Sequence, residues 1–344
     1  MRAHLRSVIV VALALILLAW FLHGVNLAGV WAELGRGRVG LLALAISTTL
    51  LTYALRTIRW QYLLAGLGPT RFMNAFRATV IGFAANFLLP ARAGEFIRPY
   101  VLSQHENVKA TAAFATVVLE RVFDMAAVLV LFAVFLLTAD PALARSAPGV
   151  FRAVQVGGLP AAGGTLALLV GFFVLAGHPE AIGRISAAVE RRLPARLAKS
   201  VEGLAQTFVV GLGAVRRPKQ WLMVSALSFP LWLSIACGIW LVSRAFAVDV
   251  GYVGSFLVMT LLVVGVAVPT PGAIGGFHEF YRIAVTSFFH ASTEKAVGAA
   301  IVLHAISFVP VTLVGLAFMV GEGLTLGRMR RLATPPGAAE EETR

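Results

Sequence analysis

Residues 221–242 read WLMVSALSFPLWLSIACGIWLV, from Trp221 to Val242, without one charged side chain. A helix needs roughly 20 apolar residues to cross the hydrocarbon core of a bilayer. This stretch supplies them, and the chain repeats the device. Further runs with little or no charge occupy Val8–Leu22, Val39–Leu55, Met125–Leu137, Leu166–Ala176, Phe256–Val268 and Ile301–Val320. Hydrophobic residues make up 59% of the 344 positions and charged residues 13%, against about a quarter charged in a soluble domain. So small a charged fraction does not furnish a water-facing surface. The sequence therefore predicts an all-α, polytopic membrane helix bundle, not a soluble enzyme.

The net charge is +13. The basic residues lie between the apolar runs, where they orient spans and meet anionic lipid, not on the soluble basic face that nucleic acid requires. The one cysteine, Cys237, sits inside a run and excludes internal disulfides and multi-cysteine metal sites. Arg2 and Arg6 precede the first run as in a signal peptide, but no small-residue cleavage site follows. It reads as a retained first helix.

Charge bias sets the expected topology. The segment from His178 to Gln220 carries eight Lys and Arg against three Glu, and the C-terminal tail begins with Arg328, Arg330 and Arg331. Both are expected in the cytoplasm, and the loop around Asp249, free of Lys and Arg, outside. Helices at about 7–23, 39–58, 108–138, 158–177, 220–246 and 297–321 then form six full spans, with both termini cytoplasmic in a cell (inner) membrane. Two pieces, 74–104 and 252–291, must each begin and end on one side. The first opens to the cytoplasm and the second to the outside.

Both are interrupted in the middle, by Asn86-Phe-Leu-Leu-Pro90-Ala-Arg92-Ala-Gly94-Glu95 and by Pro269-Thr-Pro271-Gly272-Ala-Ile-Gly275-Gly276-Phe-His278-Glu279. Proline and glycine break helices, and irregular backbone at membrane depth survives only inside protein or beside a wet cavity. Paired interruptions in two halves point to a transporter's central site. The reading is two re-entrant hairpins, tipped by Pro90, Gly94, Pro269, Pro271, Gly272 and Gly275, within an inverted repeat; two short kinked spans per piece satisfy the same parity. One transmembrane domain, 1–332, is expected, its halves about 1–177 and 220–327 joined by a cytoplasmic amphipathic segment, 178–219. There Leu197, Val201, Leu204, Phe208, Gly211 and Val215 recur at helical spacing. Residues 333–344 read as a disordered tail.

Charged residues at membrane depth are costly and usually functional. They concentrate in the first half: Arg56, Arg59, Arg92, Glu95, Arg98, Glu120, Arg121 and Asp124. Glu120 and Asp124 are four apart and share one helix face. Asp124 falls about 24 Å from a helix start near 108 and about 20 Å from Leu137, deep in the bilayer. Arg121, about 100° round, is placed to reach a partner on a neighbouring helix, and Arg92, Glu95 and Arg98 form one stripe if their stretch is helical. Five Arg against three acids leave +2, which suits a phosphate held by planar guanidinium forks. Fixed ion pairs and a proton relay are the competing uses. In the second half, Glu279 beside the tip is the functional candidate, and His278 and His304 read as packed residues.

Soluble motifs fail on context. Gly35-Arg-Gly37-Arg-Val-Gly40 matches a dinucleotide pattern but follows an expected membrane helix rather than a strand, and His278-Glu279 has Arg282 where a zinc protease needs its second His. No Walker-type phosphate loop occurs in the sequence. Neither cofactor nor metal is expected.

Arg56-x-x-Arg59-Trp60, Asn86-x-x-x-Pro90-x-Arg92-x-Gly94-Glu95-x-x-Arg98, Glu120-Arg121-x-x-Asp124 and Pro269-x-Pro271-Gly272-x-x-Gly275-x-x-x-Glu279 resemble the lysylphosphatidylglycerol synthase transmembrane family, also called flippase-like membrane proteins. The likeness runs from about residue 10 to 320. It implies a bacterial or archaeal plasma-membrane protein that handles phospholipids or polyprenyl-linked lipids. In bifunctional relatives the same unit flips aminoacylated phosphatidylglycerol made by a soluble transferase domain. These 344 residues hold no such domain, so aminoacyl transfer is not implied. Ala273 stands where the family commonly has glycine. The expected function is a flippase or transporter that moves an anionic phospholipid or a polyprenyl-phosphate-type lipid across the plasma membrane, with membrane lipids as partners. The alternative is a lipid-presenting partner of a separate lipid-modifying transferase, or a transferase component itself. Arg56, Arg59, Asn86, Arg92, Glu95, Arg98, Glu120, Arg121, Asp124 and Glu279 are the candidate substrate-binding residues.

Overall fold

The computed structural model describes residues 26–89, 92–138, parts of 148–167, 218–267 and 270–322. The expected first helix at 7–23, the amphipathic stretch 197–215, the tail 333–344 and the tip residues Pro90 and Pro269 lie outside the described residues. Of the expected span at 158–177, residues 162–167 are described as helix, with isolated helical positions before them.

Described residues in regular structure are helical, with no strand among them. The elements are α1 (Leu27–Arg36), α2 (Val39–Leu64), α3 (Phe72–Leu88), α4 (Gly94–His105), α5 (Ala110–Thr138), α6 (Pro218–Ala245), α7 (Gly254–Ala267), a short 3-10 turn (Pro271–Ala273), α8 (Gly276–Phe289) and α9 (Thr293–Gly321). Four helices, α2, α5, α6 and α9, are long and apolar enough to cross a membrane, and the chain is a multi-pass membrane protein. Their outer faces are apolar: Val39, Leu137 and Val320 are 77%, 87% and 81% exposed, as contact with lipid requires.

α1 is a difference from the sequence reading, which left residues 24–38 as a connection. Its apolar content is a short 10-residue amphipathic turn set, too brief for a span. The Asn26 side chain accepts from Gly29 N at 3.1 Å and caps it. Gly35-Arg-Gly37-Arg-Val-Gly40 therefore joins two helices, and no strand precedes it.

Both interrupted pieces fold as two helices packed on one another, α3 on α4 and α7 on α8. At about 1.5 Å per residue these arms are about 18–26 Å long, short of a full crossing. Each pair is cinched in the same way. A Cβ on Gly94 would fall onto the carbonyl oxygen of Gly82, and one on Gly265 would lie 2.7 Å from the carbonyl oxygen of Gly276. Side chains at either position would force the arms apart.

The described halves share one element order: span α2, paired helices α3 and α4, span α5; then span α6, paired helices α7 and α8, span α9. α2 and α6 pack antiparallel. Arg38 N donates to Ala245 O at 3.2 Å near one end, Thr52 and Ser234 hydroxyls meet at 2.7 Å, and Arg59 Nη1 donates to Ser228 Oγ at 2.9 Å near the other. α9 packs on α3 and α5 packs on α7, so each half reaches across with its last span.

Two opposite ends follow from these contacts. At one, Arg77 of α3 lies 2.8 Å from Glu322 after α9, and His105 at the end of α4 lies 2.7 Å from the same carboxylate. At the other, Gly254 at the start of α7 abuts the Phe289 ring, and Gly298 of α9 abuts Phe246 after α6. The α3–α4 pair thus opens at one end of the bundle and the α7–α8 pair at the other.

Candidate functional site

The two breaks meet inside the bundle. Gly272 rests on the Phe87 ring at the end of α3, and its carbonyl oxygen is 2.7 Å from His304 Nε2 of α9. Gly272, at φ 62°, takes the left-handed backbone that this turn needs, and Ala273 follows it at φ 56°. Arg92 reaches from the first break to Val266 O, at 3.3 Å. Phe87, Phe277, His304 and Phe308 form an aromatic cluster around this junction.

Beside it lies a buried ionic cluster whose centre is Glu120. Glu120 has no solvent exposure and faces four arginines: Arg98 at 2.9 Å, Arg121 at 3.0 Å, Arg56 at 3.2 Å and Arg59 at 3.3 Å. One turn on, Asp124 faces Arg59 at 2.7 Å, Arg56 at 3.3 Å and Arg121 at 3.5 Å, and accepts from Trp232 Nε1 at 3.0 Å. Helical spacing of four puts both carboxylates toward α2, where Arg56 and Arg59 are three apart. With 14 residues of α5 on either side, Asp124 lies about 21 Å from each helix end.

The arginines divide by what else holds them. Arg59 is fully buried, clamped between both carboxylates and Ser228. Arg98 lies with its guanidinium 3.8 Å over the Trp60 ring, a stacking that suits a planar cation; Trp60 is itself fixed by a 3.0 Å bond to Thr116. Arg56, by contrast, lines a half-open cavity of about 390 Å³ together with Arg92, Arg121 and Asp124. Hydroxyls of Thr48, Thr49, Thr52 and Ser234 continue the polar side, and Leu262, Val263, Val266 and Ile306 are among its apolar walls.

Several expectations change against this geometry. Arg121 does not reach a neighbouring helix; it folds onto Glu120 and Asp124 of its own helix, because both acids lie within one turn. Arg92 does not share a helical stripe with Glu95 and Arg98. It lies in the turn before α4, at φ 53°, half-exposed and 3.8 Å from Glu95. Arg92 and Arg98 do not face one space: Arg98 points to Glu120 and Trp60. Asn86 is beside Gly94, with its side-chain oxygen buried and without a hydrogen bond among the described residues. Glu279 stands apart, paired with Arg282 one turn on, at 2.8 Å, and it does not line the cavity. Gly275 caps α8 at φ 90°, and Pro271 opens the 3-10 turn.

Sequence reading missed Trp232, Ser228 and Phe83, whose ring lies 4.9 Å from the Arg56 guanidinium. Nothing in their local spacing marks them. Trp232 and Ser228 lie in the apolar run of α6 and meet the cluster only through tertiary packing, Ser228 at Arg59 of α2 and Trp232 at Asp124 of α5. Among the described residues no group of three or more His, Cys, Asp or Glu is arranged to hold a metal ion.

Comparison with known proteins places these features. The family profile described as "Lysylphosphatidylglycerol synthase TM region" matches residues 7–315. A protein named glycosyltransferase AglD, from Haloferax volcanii, is 32% identical over 127 residues, 36% of this chain and 20% of that protein. UPF0104 membrane protein MJ1595, from Methanocaldococcus jannaschii, is 35% identical over 86 residues, 24% of this chain and 26% of that protein. The matched segments thus span about a fifth and about a quarter of the two relatives' lengths.

Proposed function

The chain belongs to the lysylphosphatidylglycerol synthase transmembrane family, and from that premise we propose that it is a flippase or transporter of an anionic lipid in the cell membrane. One observation carries the reading: one cavity at mid-helix depth is lined both by Arg56, Arg92 and Arg121, taken as its floor, and by apolar side chains, taken as its walls. A headgroup phosphate does not cross bare hydrocarbon cheaply. The floor offers guanidinium forks that replace its lost hydration, while the apolar walls receive the first carbons of the tails. At about 390 Å³ the space is within the ordinary range for a small ligand, so the rest of the tails stays in the bilayer.

The paired helices α3–α4 and α7–α8 are then re-entrant hairpins in an inverted repeat, as the antiparallel α2–α6 packing supports. The end holding Arg77, His105 and Glu322 faces the cytoplasm, consistent with the charge bias. Rocking of one half against the other, about tips that already touch, exposes the floor to either side in turn. Glu120, Arg59 and Arg98 brace the floor; Arg56, Arg92 and Arg121 bind.

A second reading is favoured by one observation, the match to a protein named as a glycosyltransferase. In it the cavity presents a lipid to a separate transferase instead of releasing it across the bilayer. Reconstitution decides. Vesicles holding the purified chain alone and fluorescent anionic lipid in both leaflets are quenched from outside with dithionite. Quenching well beyond the outer-leaflet half is expected. Protection of the inner half, in vesicles whose protein still binds the lipid, overturns transport and leaves presentation.

A further inference from the structure

We propose that the cavity floor is matched to a doubly charged headgroup, a phosphomonoester or a diphosphate on an apolar chain, in preference to the singly charged phosphodiester of ordinary phospholipids. This rests on the reading of the cavity as a lipid-anion site.

The argument is an accounting of charge and of donors. Arg56, Arg59, Arg98 and Arg121 surround Glu120 and Asp124; four cations against two anions leave +2. Among the described residues no neighbouring group supplies the balance. Glu95 also acts on Arg121 but is offset by Arg92, three residues before it, Glu279 is taken by Arg282, and Glu322 is engaged by Arg77 and His105 at the end of the bundle. The acids also have no capacity left. A carboxylate accepts at about four lone-pair positions. Glu120 has four arginine nitrogens within 3.3 Å, and Asp124 has three arginines and Trp232. Donors remain: Nε of Arg56, Arg59, Arg98 and Arg121, and Nη2 of Arg98, are buried without a hydrogen-bond acceptor among the described residues.

A net surplus of two charges in a largely buried cluster is costly, because two carboxylates cannot neutralise four arginines. A monoanion leaves one of them standing; a dianion cancels both. The surplus is also reachable. Arg56 and Arg121 contribute to the cluster and to the cavity lining, and Arg92 stands on the same lining. Two or three forks around one phosphate give the bidentate geometry that arginine favours. A phosphomonoester carries about −1.5 to −2 at pH 7, since its second proton leaves near pH 6, whereas a diester carries −1 throughout. The preference therefore has a pH signature that belongs to the ligand.

The test uses the full-length protein in nanodiscs or detergent. Affinities are measured at pH 8 and pH 5 for dioleoyl phosphatidic acid and a polyprenyl monophosphate, as monoesters, and for dioleoyl phosphatidylglycerol, as the diester. Dioleoylglycerol serves as the phosphate-free control, and inorganic phosphate and pyrophosphate as the chain-free ones. At pH 8 both monoesters are expected to bind at least ten-fold more tightly than phosphatidylglycerol; at pH 5 the gap falls below three-fold. Arg121→Gln, which removes one surplus charge, is expected to bring monoester binding to within three-fold of the diester, and Arg121→Lys to keep most of the preference. Equal affinity for phosphatidic acid and phosphatidylglycerol at pH 8 overturns the dianion match and leaves the lipid-anion reading intact. Phosphatidylglycerol and phosphatidic acid binding no better than dioleoylglycerol overturns that reading as well. Free phosphate or pyrophosphate binding as tightly as the monoester lipids overturns the lipid as its source. The wild-type pH comparison stands without any variant, so a misfolded Arg121→Gln protein does not blunt the test.

Discussion

Arg98 Nη1 stands 2.9 Å from Glu120 Oε2, with neither residue more than 3% exposed at its side chain. That contact joins the tip half of α4 to the middle of α5, and through Glu120 it also joins Arg56 and Arg59 of α2. Removing the acid leaves Arg56, Arg59 and Arg121 on Asp124 alone and deprives Arg98 of its carboxylate. Glu120→Gln is expected to destabilise the protein by about 3–5 kcal/mol, the cost of breaking a buried pair from one side. The double variant Glu120→Gln/Arg98→Met removes both partners and should recover part of that loss. Melting temperatures in one detergent for wild type, both singles and the double give the coupling; strict additivity would show that the pair does not act as a unit.

The glycine contacts make a second prediction. Gly94→Ala and Gly265→Ala each place a methyl against backbone that has no room to yield, the carbonyl oxygens of Gly82 and Gly276. Each is expected to cost about 1–3 kcal/mol by overpacking. Gly35→Ala and Gly40→Ala, where nothing lies within 4 Å of the added carbon, are the controls and should melt within a degree or two of wild type.

The two breaks were legible in sequence because Pro and Gly interrupt long apolar runs, and so were four of the six expected spans, over 39–64, 110–138, 219–245 and 293–321. The carboxylates could be placed on one face because helical spacing alone fixes that. What could not be read was direction. Which arginines turn into the cavity and which brace the acids depends on the crossing of α2 with α6 and on Trp60 lying under Arg98. Those are tertiary facts with no periodicity in the chain. Arg92 shows the same limit locally. A spacing of three reads as one helical stripe only if the helix includes all its members, and α4 begins two residues later, at Gly94.

Ala273 sits at φ 56°, where an L-residue with a Cβ pays about 1–2 kcal/mol. Glycine relieves that strain and gives back about 0.4–1 kcal/mol through the greater freedom of the unfolded chain. Ala273→Gly should therefore raise thermal stability slightly, by roughly 0.5 kcal/mol. A lower melting temperature would mean that the Ala273 methyl group contributes packing that outweighs its backbone strain.

Orientation is open to chemical labelling. On a Cys237→Ala background, a cysteine at Asp249, whose side chain is 95% exposed, should react with a membrane-impermeant maleimide added outside whole cells. A cysteine at Gly68, in the loop joining α2 to α3 at the opposite end, should react only after the membrane is opened. The reverse pattern would turn the bundle over and place the mouth of the α3–α4 hairpin outside.

The division of labour among the arginines is the sharpest test of the site. Lysine keeps a positive charge but has neither the planar fork nor the reach of guanidinium. At Arg121, whose side chain is 34% exposed and which lines the cavity, Arg121→Lys should leave the melting temperature nearly unchanged. Lipid movement should fall about ten-fold, the loss of about 1.4 kcal/mol expected when one good charged hydrogen bond to a ligand goes. At Arg59 the substitution strikes a different function. Its guanidinium bridges Asp124 at 2.7 Å, Glu120 at 3.3 Å and Ser228 at 2.9 Å with no exposure, and an ammonium cannot span all three. Arg59→Lys should lower stability by about 2–4 kcal/mol, and lipid movement should fall only in proportion to the folded fraction. Both quantities are read from one preparation of each variant, by thermal unfolding in detergent and by dithionite quenching in vesicles. A stable Arg59→Lys protein that has lost lipid movement, beside an Arg121→Lys protein that moves lipid normally, would reverse the assignment and make the buried arginine the one that meets the headgroup.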